Sequence, residues 1–293
     1  MRLVVVYGLK TRDYRWLEGF YPAKRLTAAC ENRGLELRFL FPQDIRAFID
    51  NPNDPKRDET VFFTRGDISR EAMELLESTG LPCVNGLIGR DIANDKLRTF
   101  RFLSENGWPT PNTVALGNAN GETPHDALGD TQGFPVVVKP RFGSQGRGVA
   151  LCENVDDVDR AVGAVNAGTG AMDEWIAQEY IAHSRGRDLR MLFSGDEILT
   201  VAERRAQNGD FRSNAGTGGH FRLMDGYGPF RDMTLNIAKA AGLWYGSIDW
   251  LFLPSGSLTV CEINASPGFE SIERDCGLDV AGKIVEKLLE NFT

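Results

Sequence analysis

Two acidic residues and an amide in the C-terminal part of the chain have the spacing of cation ligands. The runs Gly246–Leu253 and Leu258–Asn264 read as strands joined by Pro254-Ser255-Gly256-Ser257. If that loop closes a simple hairpin, Leu253 faces Leu258 and Asp249 lies directly across from Glu262. Asn264, two residues on, projects from the same face as Glu262. Opposed carboxylates repel, so the pair implies a cation between them. Oxygen-only donors point to Mg²⁺, typically held by one or two carboxylates plus substrate phosphates. A solvent-facing edge with two chance acids is the alternative, and the flanking residues are too apolar for it.

A second group of residues suits phosphate. Val136-Val137-Val138-Lys139-Pro140 is followed by Arg141-Phe142-Gly143-Ser144-Gln145-Gly146-Arg147-Gly148-Val149. The segment lacks the Gly-Lys-Ser/Thr ending of a Walker A loop, and it returns into a strand where that loop and the Rossmann fingerprint both enter a helix. A glycine-rich hairpin can still fold over a triphosphate, because bare backbone N–H groups approach the oxygens closely. Gly143, Ser144, Gln145, Gly146 and Gly148 would form that cover, and Lys139 would add a point charge at the strand end. A mobile surface hairpin with a solvated lysine accounts for the same residues.

Two further stretches extend the pattern. In Glu203–Asn214 the pair Asn208-Gly209 is a strong two-residue hairpin signal and would set Arg205 opposite Arg212. Facing guanidiniums need a bridging anion, and their planar forks suit phosphate oxygens. A wet sheet face of mixed charge is the alternative, and a one-residue slip would substitute Arg204 for Arg205. Gln178-Glu179-Tyr180-Ile181, read as an edge strand, would offer backbone groups to an adenine ring; an interior strand is the default explanation.

These residues need β-rich supports. Leu3–Tyr7, Leu35–Phe41 and Val61–Thr64 read as strands, with helices from Pro22 to about Gly34 and between Asp67 and Thr79. That alternation implies a small α/β unit with a mainly parallel sheet, expected over residues 1–93. A helix opening at Asp95-Lys96-Leu97-Arg98, strands at Thr113–Leu116, Phe134–Lys139 and Gly148–Cys152, and a helix at Val155–Val165 define a second unit, 94–181. The third, 182–293, is strand-rich and closes with helices around Met233–Ala241 and Val280–Asn291. The expected class is α/β (α+β).

The chain of 293 residues carries a net charge of −8, which argues against general nucleic-acid binding. Any phosphate must therefore meet a local cluster of Lys and Arg. Met1–Tyr7 runs straight into a short apolar segment and reads as a first strand, not a signal peptide; no run of about 18 apolar residues would span a membrane. Five cysteines without clamp spacing fit free thiols in a reducing cytoplasm. With three histidines, an imidazole zinc site is improbable.

The order of these motifs resembles the RimK-type branch of ATP-grasp α-L-glutamate ligases. It runs from Asp95-Lys96-Leu97-Arg98 through Val-Val-Val-Lys139 with Gly-Ser-Gln-Gly-Arg-Gly, Gln178-Glu179-Tyr180-Ile181 and Asp188-Leu189-Arg190. It continues with Glu203-Arg204-Arg205-Ala206, Phe211-Arg212-Ser213-Asn214 and Glu262-Ile263-Asn264-Ala265-Ser266-Pro267-Gly268. The resemblance is close from about residue 94 onward and looser before it. It implies an ATP-grasp fold, with two β-rich lobes clasping ATP behind the N-terminal unit. It also implies that Lys96 and Lys139 contact ATP phosphates, Glu179 and Tyr180 hold adenine, and Asp188 binds ribose. Arg212, Ser213 and Asn214 would line the triphosphate, and Asp249, Glu262 and Asn264 would hold two magnesium ions, with Mn²⁺ as the alternative metal. The expected catalytic set is Arg205, Arg212 and Asn264.

The implied reaction joins a carboxylate to an amine through an acyl phosphate, with L-glutamate or a similar amino acid as the amine. A different carboxylate–amine ligase, such as one resembling D-alanine–D-alanine ligase or a peptide-modifying ligase, is the rival within the fold. A nucleotide-binding regulator without catalysis is the rival outside it. After Asn214 the family commonly has Leu-His-Arg-Gly-Gly, whereas this chain reads Ala215-Gly216-Thr217-Gly218-Gly219-His220. Lys10, Arg12 and Arg15, interleaved with Tyr14 and Trp16 after the first strand, suit an acidic acceptor, either a small glutamyl-type metabolite or a peptide or protein C-terminus. No membrane or nucleic-acid partner is expected, and a homo-oligomer is left open.

Overall fold

The computed structural model describes residues 1–8, 14–51, 53–116, 128, 133–144, 146–166, 174–207, 209–213 and 219–292. Lys10, Arg12, Gln145 and Asn214 lie outside them, as does Asn208 of the expected Asn-Gly turn.

The N-terminal strands β1 (Arg2–Gly8), β2 (Glu36–Leu40), β3 (Thr60–Gly66) and β4 (Cys83–Val84) form a parallel sheet in the order β2-β1-β3-β4. Leu3 to Val6 are fully buried, as a parallel strand covered on both faces must be. Leu3 and Val5 enter one core with helix α1 (Tyr14–Gly19) and α2 (Tyr21–Glu31). Val4 and Val6 enter another with α3 (Ile45–Ile49) and α4 (Arg70–Glu77). Tyr14 and Trp16, expected in a loop, lie on α1 and pack against Phe41 and Phe20. The carboxyl ends of β1 and β3 meet closely: a Cβ on Gly8 would sit 1.9 Å from the Asp67 carbonyl oxygen. Only glycine permits that approach.

Helix α5 (Leu87–Asn94) leads into α6 (Lys96–Glu105). Asp95 between them is extended, and its Oδ1 accepts from the N–H groups of Leu97 and Arg98, an N-cap. The same carboxylate takes a two-pronged bond from Arg141, at 2.7 and 2.6 Å, which ties the helix start to the glycine-rich loop.

The second sheet is antiparallel, with β5 (Thr113–Leu116), β6 (Val136–Pro140), β7 (Ala150–Cys152) and β8 (Trp175–Glu179) in the order β5-β8-β6-β7. Helix α7 (Val155–Asn166) follows β7. Strand β8 is thus interior, so Gln178 and Glu179 are not on an edge, and Tyr180 and Ile181 leave the strand toward the third sheet.

That third sheet contains β9 (Arg187–Ser194), β10 (Glu197–Arg205), β11 (His220–Leu223), β12 (Tyr245–Phe252) and β13 (Leu258–Asn264), in the antiparallel order β11-β10-β9-β12-β13. Helix α8 (Gly228–Ala240) packs on one face. Helices α9 (Glu270–Cys276) and α10 (Val280–Phe292) join the other face to the N-terminal core. Among the described residues no helix is long and apolar enough to cross a membrane.

Two expected registers are corrected. Phe252, not Leu253, faces Leu258, and a bulge between Asp249 and Trp250 leaves Cys261 without a partner on β12. The extra residue restores the facing pair Asp249–Glu262. Arg205 does not face Arg212: the partner of β10 is β11, with Arg205 opposite His220 and Arg204 opposite Phe221. Residues 209–213 are not a returning strand: Ser213 and Arg212 turn toward Asp188 and Gly146.

Candidate active site

The second and third sheets enclose a cleft, lined by residues of both sheets and by Lys96 of α6. Its walls carry six basic side chains against four acidic ones. A local positive surplus in a chain of charge −8 marks a site for an anion.

Lys96 and Lys139 lie at its centre. Lys139, at the end of β6, is 6% exposed and donates to Gln178 Oε1 at 2.9 Å; the Gln178 amide in turn donates to Thr113 Oγ1 at 3.0 Å. Lys96, in the first turn of α6, donates to the Gly143 carbonyl at 2.7 Å and stands 3.9 Å from Glu262 Oε1. Burial pushes its pKa down, Glu262 opposes, and Lys139 adds to the fall. Two buried ammonium groups beside one carboxylate leave positive charge for phosphate oxygens.

The glycine-rich loop closes over them. Gly143, Gly146 and Gly148 have positive φ, and a Cβ on Gly148 would come within 3.0 Å of Pro140. Arg212 donates to the Gly146 carbonyl at 3.0 Å and pairs with Asp210. Lys96 and Arg212 therefore both hold carbonyls of this loop. Mg-ADP, by offering phosphates to the same cations and to the loop N–H groups, is expected to order the loop. Hydrogen exchange at Phe142, Gly143, Ser144 and Gly146 should slow measurably on its addition, and protection already complete without nucleotide would remove the lid role.

The floor is a network of buried charge. Arg204 bonds both oxygens of Asp188 and, at 3.0 Å, Asp249 Oδ2. Arg190 grips Asp249 at 2.8 and 2.7 Å, and Ser213 donates to Asp188 at 2.5 Å. Burial raises the Asp249 carboxyl, but Arg190 and Arg204 together outweigh it and hold the pKa below the usual range. Asp188 has one arginine only, and burial with the nearby Asp249 pushes it upward. Arg205 points away, 60% exposed and paired with Glu203 at 2.9 Å. Arg204, 6% exposed, is the arginine of the cleft, the substitution that a one-residue slip allows.

Asp249 and Glu262 face each other in the cleft, and Asn264 sits two pairs further along, opposite Ser247. The donor set fits a hard divalent ion. Asp249 Oδ1 accepts one bond, Glu262 has only the long contact to Lys96, and the buried Nδ2 of Asn264 has no partner, so nothing fixes the amide against turning its oxygen to a cation. No group of three acidic, histidine or cysteine ligands exists among the described residues, so substrate oxygens would complete the shell.

Glu179, Tyr180 and Ile181 also line the cleft, as do Ser144 and Ser213. From the sequence alone, no side-chain role attached to Arg190, Gln178 or Arg141. The alternation Asp188-Leu189-Arg190 already placed Arg190 on the Asp188 face; Gln178 and Arg141 had no such signal.

A family model described as a RimK-like ATP-grasp domain matches residues 93–288. A "Probable alpha-L-glutamate ligase" of Enterobacter sp. is 36% identical over 222 residues, 76% of this chain and 72% of that protein. A "Ribosomal protein bS6--L-glutamate ligase" of Escherichia fergusonii is 36% identical over the same shares. The crystal structure of D-alanine–D-alanine ligase from Bacillus anthracis complexed with ATP superposes with a TM-score of 0.72 at 19% identity, over 100% of this chain and 97% of that one.

Proposed function

The chain belongs to the RimK-type ATP-grasp ligase family, α-L-glutamate ligase branch, and from that premise we propose that it adds L-glutamate to an acidic, carboxylate-bearing acceptor. It is an ATP-dependent carboxylate–amine ligase of the acid–amino-acid class. The observation that carries the finer reading is the cleft, where buried Lys96 and Lys139 lead to the facing pair Asp249–Glu262.

An acceptor carboxylate oxygen attacks the γ-phosphorus and ADP leaves. The amine then attacks the acyl carbon, phosphate departs, and the nitrogen loses a proton to give the amide. Lys96, Lys139 and Arg212 neutralise phosphate oxygens, with Ser213 beside them and the loop that carries Gly143, Ser144, Gly146 and Gly148 excluding water; for Gln145 and Asn214 the phosphate role rests on the sequence alone. Glu179 and Tyr180 orient the adenine. Asp188, fixed by Arg204, meets the ribose with the acceptor capacity that Arg204 and Ser213 leave. Arg204 takes the place expected of Arg205. Asp249, Glu262 and Asn264 would hold Mg²⁺, or Mn²⁺ on the same oxygens. When bound, the ion neutralises charge that develops on the phosphates. Positioning and electrostatics dominate such a transfer, which needs no catalytic His or Cys.

A relative is named for ligating L-glutamate to a ribosomal protein, which supports an acidic peptide or protein end as the acceptor; a small glutamyl metabolite is the alternative. The test incubates the protein with a cell-extract metabolite pool, Mg-ATP and isotope-labelled L-glutamate. A labelled amide with ADP and phosphate is expected. With amine withheld, hydroxylamine should trap the activated acid as a hydroxamate; AMP and pyrophosphate would instead mean adenylation and refute the route.

A further inference from the structure

A buried cation with no carboxylate partner among the described residues stands at the end of the N-terminal sheet. Tyr7 and Arg65 are register partners at the carboxyl ends of β1 and β3, the region where open α/β sheets bind ligands. Arg65 is 2% exposed. Its Nη2 donates to the Pro267 carbonyl at 2.8 Å, while Nε and Nη1 are buried and, like the Tyr7 hydroxyl, make no hydrogen bond of ordinary geometry, with the Tyr7 and Tyr245 hydroxyls close by. The rings of Phe63, Tyr245 and Phe269 stand 5.3 to 5.6 Å from the guanidinium, and no described carboxylate pairs with it. Arg90 is a second buried cation here, spending its bonds on the Thr64 and Gly66 carbonyls. Burial, opposed by Cys83 and acidic neighbours and reinforced by Arg65, pushes Arg90 down to about 10. Aromatic faces offset part of the cost of burying Arg65, but its two idle donors remain unpaid.

These donors connect to the reaction centre. Pro267, held by Arg65 and by the Tyr245 hydroxyl at 3.2 Å, follows Asn264 by three residues. Along β12, Tyr245 and Ser247 share the face of Asp249, and Ser247 Oγ and Asn264 Nδ2, opposite each other, are both buried and unbonded. Unsatisfied polar groups therefore run from the paired acids to Arg65. Four residues of strand separate Asp249 from Tyr245, about 13 Å.

We propose that Arg65, with the Tyr7 hydroxyl, receives a substrate carboxylate that is not consumed, at the end remote from the reacting group. This rests on the ligase reading and deepens it: the substrate carries a second carboxylate. Entry requires the Ser266–Gly268 loop to move off the strand ends, where the bonds from Gly66 N–H to Ser266 Oγ (3.0 Å) and from Arg65 to Pro267 hold it.

The test follows the Arg65 Nε–Hε resonance of the full chain, assigned by its loss in Arg65→Lys, during separate titrations with L-glutamate and L-glutamyl-L-glutamate in the presence of Mg-ADP. One of the two should move the signal, identifying the amine substrate or the acceptor as the source. The KM of that compound should rise roughly 10- to 100-fold in Arg65→Met, the worth of a hydrogen bond to a charged group. The KM for ATP should change less than about twofold, and Arg65→Lys should recover part of the loss. Should Arg65→Met fail to fold, the titration and the lysine variant still decide. A resonance unmoved by both compounds, moved equally by sodium chloride, or KM values that rise together would overturn the assignment. The titration needs no turnover, so failure of the ligase reading shows separately, as absence of ADP release.

Discussion

Glu262→Gln is expected to lower ligase turnover by about 10²- to 10⁴-fold while leaving the fold intact. Glu262 is 27% exposed and its nearest charge, Lys96 Nζ, is 3.9 Å away, so the substitution removes little that holds the protein together. It does remove one of two carboxylates at the position where a divalent ion would sit. Metal-based charge stabilisation is worth several kcal/mol in a transition state, and each 1.36 kcal/mol is about tenfold in rate. Asp249→Asn should lose at least as much activity. It is a less clean test, because it also deprives the buried Arg190 and Arg204 of their shared anion. Turnover at saturating ATP over a magnesium titration, with melting temperature as the fold control, checks both. Unchanged turnover in Glu262→Gln would end the metal assignment.

That pair was legible in the sequence, but by a route that cancels an error. The loop at Pro254–Ser257 sets Phe252 opposite Leu258, one residue off the simple hairpin, and the bulge at Cys261 shifts the pairing back. A bulge reflects how a strand fits its neighbours, so composition carries little trace of it. The same limit explains Arg205. The Asn-Gly signal is local, whereas the partner of β10 comes from residues 220–223, and tertiary pairing overrides the turn. Helix α6 was readable because its N-cap Asp95 and apolar spacing are both local. Arg65 was not: a single arginine ending an apolar strand has no periodic signature, and only packing shows that its charge is enclosed.

The choice between neighbouring arginines gives the second large effect. Arg204→Met should destabilise the protein by about 3–5 kcal/mol at neutral pH, since removing one partner of a buried ion network leaves its acids uncompensated. Asp188 would keep only Ser213, and Asp249 only Arg190. Arg205→Ala, at an exposed pair with Glu203, should stay within about 0.5 kcal/mol. The pH dependence has a defined sign. In the native protein the depressed Asp249 pKa contributes stability above the unfolded carboxyl pKa, and that contribution fades as pH falls through the folded value. In the variant both acids move upward from their wild-type values, Asp188 further above its unfolded value and Asp249 toward its own, so the loss relative to wild type is full at high pH and is relieved by protonation as pH falls. The stability gap between wild type and Arg204→Met should therefore narrow from pH 7.5 toward pH 5. Urea unfolding midpoints at the two pH values measure it. A gap that widens on acidification, or an Arg205→Ala loss matching that of Arg204→Met, would mean that the network at the cleft floor is not the one that Arg204 closes.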